Sequence, residues 1–410
     1  MSPPAARAPL AVLFLTVFID LLGFGIVIPL LPIYAERLRA TPFEAGALIA
    51  VYSLMQLLFA PVWGRVSDRV GRRPVLLVSL AGSTVSYLLL AAAWWLGDAA
   101  LAMLFVARTL AGLAGANVPV AQAYIADVTT AADRARGMGM IGAAFGLGMV
   151  VGPALGGALS LVGPSVPELA AALLCLANVL LASLRLPESL PPAARAPRPF
   201  RHPLSAAALR EAAAPAGAAP LFAVFFLVTL CFAVLEGTFS LAANHLFRYG
   251  PAAVDALWLY MGVVAVVVQG VLVGRLNRRL PERQLVLAGT VALAVGLAWI
   301  PRAEGAGTLL AALGLVVAGQ GLSSPSLSSL VSKTAGARRQ GGVLGVSQSL
   351  SAAARVVGPA SGGFVFDALG GRAPYAAAAG CALVALAITV AGVSAGGVPE
   401  TEVLGLHRHG

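Results

Sequence analysis

Of the 410 residues, 59% are hydrophobic and 11% charged, where soluble proteins carry roughly 25% charged residues; so apolar a chain excludes the soluble enzyme folds and points to a membrane protein. A net charge of +10 would suit nucleic acid, but the basic residues sit at the ends of apolar stretches, where they report topology instead. Cys175, Cys231 and Cys381 stand singly in apolar runs, without a C-x-x-C or a neighbouring histidine, and read as core residues rather than a disulfide or metal set.

Twelve stretches have the length of tilted transmembrane helices: 10–34, 44–64, 74–97, 99–126, 137–162, 166–186, 220–246, 252–273, 284–301, 306–331, 341–369 and 373–396. Placing both termini in the cytoplasm puts twenty of the 27 lysines and arginines on that side, which the positive-inside rule favours. The first stretch is too long for a signal-peptide core and lacks a small-residue exit, so it is expected to remain as a helix.

The first span contains an aspartate, Asp20, in "FIDLLGFGIVIPLLP". A charge near the bilayer centre costs about 2.5 kcal/mol or more and seldom stands without a partner or a job. The loop after the second span reads "GRVSDRVGRR", with Asp68 between Gly64 and Gly71 and among Arg69, Arg72 and Arg73. In the fourth span, "RTLAGLAGANVPVAQ" places Arg108 near the same depth as Asp20 by helical rise. Each is the other's most obvious partner, either as a static buried pair that orients helices or as a proton switch. Asp127 closes the fourth span and Arg136 opens the fifth. The fifth span, "GMGMIGAAFGLGMVVGPALGG", repeats glycine at Gly148, Gly152 and Gly156, beside Pro153 and Gly157, giving a smooth face for close helix packing and a point of bending.

A Pro-, Ala- and Arg-rich stretch, 188–218, separates six spans from six and is expected to be a linker with a short helix around "LSAAALREAA". The two halves repeat each other. "MVVGPALGG" at 149–157 returns as "RVVGPASGG" at 355–363, bringing Gly358, Pro359, Gly362 and Gly363, and 64–77 aligns without a gap to 274–287. Parallel repeats of this kind place a substrate site at their interface near midplane. Asp68 becomes Arg278 and Asp127 becomes Lys333 in the second copy, so that copy is expected to lack the same salt bridges. Glu236 and Arg355 lie at similar depths in the seventh and eleventh spans; either they pair, or Glu236 faces the cavity as a second acid. Phe24, Gln56, Asn117, Phe232, Phe239, Gln320 and Gln348 are candidates to line that cavity, while His245 falls too near the outer surface for a proton relay. No G-x-x-x-x-G-K-[ST] loop supports ATP use.

The loop at 64–73 resembles the G-x-x-x-D-R-x-G-R-R signature of the major facilitator superfamily, the fourth span its R-x-x-x-G-x-x-G, and the fifth the G-x-x-x-G-P-x-x-G-G of its antiporters. The resemblance covers essentially the whole chain and is nearest to the twelve-span drug/proton antiporters of the tetracycline and multidrug-efflux branch. It implies an all-α integral membrane fold of two pseudo-symmetric six-helix bundles, 1–187 and 219–410, in the inner membrane of a bacterium. It further implies no enzymatic activity, a cytoplasmic latch of Gly64, Asp68, Arg69, Gly71, Arg72, Arg73, Asp127 and Arg136, and proton coupling through Asp20 and Arg108, with Glu236 the further coupling candidate if it faces the cavity. A monomer that exports small amphiphilic or cationic compounds on the proton gradient, with no cofactor and no nucleic-acid partner, is expected. An uptake or sugar carrier, or a sensor that no longer cycles, are the other readings. The third and ninth spans lack acids within the membrane and the eighth lacks a histidine, unlike carriers of metal-chelated tetracycline.

Overall fold

Proline and glycine decide where these apolar stretches bend. In the computed structural model, which describes residues 4–129, 131–192, 195, 205–214, 217–334 and 340–392, the first span is two helices, α1 (Pro4–Val27) and α2 (Leu31–Arg37). Pro29 lies in the break and Pro32 in the first turn after it, and neither supplies an N–H to a continuous ladder. The fourth span also divides, into α5 (Ala100–Ala114) and α6 (Asn117–Val128). The hydroxyl of Ser79 enters that break, donating to the Ala114 carbonyl and accepting from the Ala116 N–H.

The first half is completed by α3 (Pro42–Val70), α4 (Arg72–Ala92), α7 (Ala131–Ser160) and α8 (Val166–Arg185). Thr41 starts α3 with a reciprocal cap, its hydroxyl accepting from the Glu44 N–H at 3.2 Å while the Glu44 carboxylate accepts from the Thr41 N–H at 2.7 Å. The linker holds α9 (Ala206–Ala213), which rests on α10 (Ala218–Phe247) and α15 (Gln340–Leu369). The second half adds α11 (Pro251–Val267), a π-helical turn at Val268–Leu272, α12 (Val273–Leu276), α13 (Glu282–Trp299), α14 (Ala306–Thr334) and α16 (Ala373–Gly392). Among the described residues, ten segments are long and apolar enough to cross a membrane. With α7 and α15, each 30 residues long, the architecture is consistent with twelve crossings.

The halves meet at the end of the molecule opposite the linker. There α3 packs on α15 and α7 on α11. A Cβ added to Gly46 would strike the Pro359 carbonyl, and one on Gly363 the Pro42 carbonyl, so these helices approach backbone to backbone. The Ser240 hydroxyl donates to the Pro29 carbonyl at 2.9 Å and accepts from the Trp258 indole at 3.1 Å. His245 and Glu36 bridge the halves at the same end, 2.5 Å apart.

Candidate functional site

Between the halves lies a cavity of about 530 Å³. Its walls are built from the middle of the spans that line it: on α3 they run from Ile49 toward the linker side at Pro61, on α10 from Thr229 to Glu236, and on α15 from Gln348 to Arg355. The far-side thirds of these helices are the ones locked together, so the cavity faces the linker side.

Among the described residues, four charged groups line it, an acid and an arginine from each half: Asp20 and Arg108, Glu236 and Arg355. The expected Asp20–Arg108 ion pair is not formed in this conformation. Arg108 is 1% exposed and its guanidinium lies 4.4 Å over the Tyr52 ring, a cation–π contact that occupies the cation. Its Nε reaches the Leu48 carbonyl at 3.5 Å and its Nη2 has no hydrogen-bond partner. Asp20 instead accepts from Ser83 at 3.5 Å, with the Asn117 side chain beside it. Glu236 feels the charge of Arg355 without an ion-pair contact, and both side chains line the cavity.

Phe24, Gln56, Asn117, Phe232, Gln320 and Gln348 reach the cavity wall as expected. Phe239 does not: it is fully buried, edge-on to Trp258 with ring centroids 6.0 Å apart. Tyr52 was not legible as a site residue, because an aromatic in an apolar span reads as core until the arginine above it is placed.

At the linker face Gly71, with φ of +110°, turns the chain from α3 into α4, a conformation that disfavours any side chain. Arg72 is then the hub: its Nη1 lies 2.6 Å from the Asp68 carboxylate and its Nε 3.0 Å from that of Asp127, and it donates to the Ser67 hydroxyl at 2.7 Å. The structure thus brings Asp68, Arg72 and Asp127 together. Arg73 donates to the Ser183 carbonyl at 2.5 Å, while Arg69 is exposed and Gly64 has open space where a Cβ would be. The side chain of Arg136 lies outside the described residues. Glu188, at the start of the linker, was missed: its carboxylate accepts from the backbone N–H groups of Arg72 at 2.8 Å and Arg73 at 3.2 Å, capping α4 where the helix dipole favours an anion.

The second half holds a pair at the corresponding place, with the signs exchanged. Glu282, aligned with Arg72, bonds Lys333, aligned with Asp127. The expectation that this copy lacks the same salt bridges holds for Asp68, replaced by Arg278, but an ion pair of opposite order is present.

The fifth-span glycines serve the first half itself. A Cβ on Gly148 would fall 2.9 Å from the Leu21 backbone and one on Gly152 2.6 Å from that of Gly25, with Gly156 equally tight against Ile26, so α7 lies directly on α1 past Pro153. Their counterparts Gly358 and Gly362 pack on α10 in the same way, and Gly237 of α10 meets Pro359.

Paired helical halves, close glycine seams and a charged central cavity define a multi-pass membrane carrier rather than an enzyme. Residues 13–359 match the model of the Major Facilitator Superfamily, and the chain belongs to that family. It is 35% identical to the class G tetracycline resistance protein of Vibrio anguillarum, over 91% of this chain and 92% of the relative. It is 34% identical to the class C tetracycline resistance protein of Escherichia coli, over 85% and 87%. Among solved structures, the human organic anion transporter MFSD10 superposes with a TM-score of 0.71 at 27% identity, covering 95% of this chain and all of that one. The protein is therefore a secondary transporter of small molecules embedded in a membrane.

Proposed function

We propose that the chain is a proton-coupled antiporter that exports small amphiphilic or cationic compounds, working by rocking of two bundles, 1–187 and 219–410, about the cavity between them. In this reading the linker face is cytoplasmic, the membrane is the inner membrane of a bacterium, and one chain suffices. The observation that carries it is the set of unpaired charges in the cavity, with Asp20 and Glu236 on opposite halves and neither held by an arginine. A carboxylate so placed can exchange a proton with whichever side the cavity faces. Arg108, occupied by Tyr52 here, is the cation that expels the proton from Asp20 when the two approach. The tetracycline resistance relatives support the outward direction.

A second reading, an acidic substrate, is favoured by the buried Nη2 of Arg108 that lacks a partner and by the organic anion carried by the human relative. Reconstitution into vesicles with an imposed pH gradient separates the two: wild type accumulates a cationic dye against its gradient, whereas Asp20→Asn only equilibrates it. A dye that never moves while an organic anion does supports the second reading, and full coupling in Asp20→Asn shifts the role to Glu236.

A further inference from the structure

The far-face contact between the halves is made twice by the repeat, and one of the two carries a charge. Gly363 of α15 meets the backbone of Pro42 and Phe43 at the start of α3. Its counterpart Gly157 of α7 meets Asp255 near the start of α11, where a Cβ on the glycine would fall 2.7 Å from both the Cβ and the Oδ2 of the aspartate. Extending the ungapped repeat back along the helix sets Ala45 of α3 at the place of Asp255. The copy formed by Gly363 closes against Pro42 and Phe43 with no acid in the contact, so packing does not call for one in the other.

Asp255 is 5% exposed and neither carboxylate oxygen has a hydrogen-bond partner. Two neighbouring polar groups are also short of partners. Tyr34 of α2, 4% exposed with its hydroxyl unpartnered, lies in electrostatic reach of both Asp255 and Glu168. Glu168 of α8 is 2% exposed, its Oε2 unpartnered and the Trp94 side chain beside it. Arg37 lies within electrostatic range of Tyr34, and His245 and Glu36 form their bridge at the same face. Burying an ionised carboxylate without a partner is far costlier than burying the neutral acid, while water on an open far face would solvate the anion.

We propose that Asp255, docked on Gly157 with Tyr34 and Glu168 around it, is a proton-binding site of the far-face gate, taking up a proton as the gate closes and returning it as the gate opens. The only bond made or broken is the carboxyl O–H, and the proton comes from and returns to far-side water. The site carries no proton across the membrane; acid on the far side instead favours the conformation open to the linker side. This rests on the alternating-access reading, since it requires the gate to open. It gives Gly157 a task distinct from the seam formed by Gly148, Gly152 and Gly156.

The test measures the distance between spin labels on cysteines placed at Leu161, just past the far end of α7, and at Leu369, the last residue of α15, both exposed. The full chain is held in lipid nanodiscs with its three native cysteines replaced. Asp20→Asn, Glu236→Gln and His245→Gln are present throughout, so that their protons make no contribution. On lowering the pH from about 8 to about 5, the closed-to-open ratio should rise, by up to about tenfold per pH unit for one linked proton. Asp255→Asn, and Asp255→Ala on the pattern of Ala45, should flatten that response, and Glu168→Gln should reduce it less. A slope that survives both Asp255 substitutions, or a gate that opens without any pH response, overturns the proposal. A gate that stays closed at every pH in every variant overturns the proposal and alternating access together.

Discussion

The linker-face clusters of the two halves occupy equivalent places and are built to different depths. In the first half, Arg72 is enclosed, with a side-chain exposure of 7%, and serves two carboxylates and a hydroxyl. In the second, the pair Glu282–Lys333 has its signs reversed, and the lysine is 59% exposed; Ser329, donating to Glu282 at 3.1 Å, is its further partner. Duplication preserved a helix-end contact between the third and fourth spans of each half, while the number of partners and the exclusion of water diverged. A reversed pair can hold two helices together as well as the original, but it lacks the second acid, Asp68, whose counterpart is Arg278. One cation shared between two carboxylates can be handed from one to the other as helices shift, and a single pair can only open or close. Under the rocking motion proposed above, switching falls to the first-half cluster and tethering to the second.

The sharpest way to break this contrast is to remove its hub. Arg72→Ala leaves Asp68 and Asp127 facing each other at a partly dry helix junction and removes several charge-assisted hydrogen bonds, so a loss of about 2–3 kcal/mol in stability is expected. Transport in vesicles should fall at least about tenfold, because the loss also biases the equilibrium between conformations. Thermal unfolding in detergent and dye transport at matched protein levels measure the two effects. Retained transport in Arg72→Ala would reduce the first-half cluster to a tether like the second.

The turn beneath the hub offers a smaller and separable effect. A Cβ at Gly71 would fall onto the Glu188 carboxylate and would require a non-glycine residue at φ of +110°. Gly71→Ala should therefore cost about 1–2 kcal/mol through the backbone and the displaced cap together. Glu188→Gln keeps an acceptor but removes the charge, and should cost less than about 1 kcal/mol. Unfolding of the two single variants and of the double variant reads the coupling. If the substitutions add without interaction, Glu188 does not depend on the glycine turn.

How much of this was legible in the sequence depended on whether the partners were near in the chain. The apolar spans, the repeat and the loop at 64–73 were readable because length, composition and short spacing define them. The breaks in the first and fourth spans were signalled by Pro29, Pro32 and Gly115, yet the apolar run continued across them and hid the division. Helical rise put Arg108 and Asp20 at a similar depth, but depth along a helix says nothing of azimuth. Tyr52, one helix away, takes the guanidinium instead. Glu188 escaped because a carboxylate in a polar linker looks solvated until the chain folds back on the start of α4. Asp255 and Glu168 escaped for a related reason: each sits in the first turns of its span, where an acid ordinarily meets headgroups and water, but α7 of the other half covers Asp255 and Glu168 is enclosed within its own half beside Trp94 and Tyr34. Phe239 was misplaced because sequence offers no means to tell a wall residue from the one behind it.

The smallest expected effect sharpens the comparison most. If Glu282–Lys333 is a simple tether, exchanging its ends should leave it intact: Glu282→Lys with Lys333→Glu should transport within about twofold of wild type, and Lys333→Ala alone should cost less than about 1 kcal/mol, as for other exposed pairs. The same exchange in the first half, Arg72→Glu with Asp127→Lys, re-forms one pair but sets the new glutamate against Asp68 and the Glu188 carboxylate that caps its own helix. Its transport should stay near the level of Arg72→Ala. Screening gives an independent check, because the lysine pair faces water and should weaken as salt rises through about 0.1–1 M, while the enclosed arginine cluster should respond less. Equal tolerance of the swap in both halves would mean that exposure, and not the number of partners, is all that separates them.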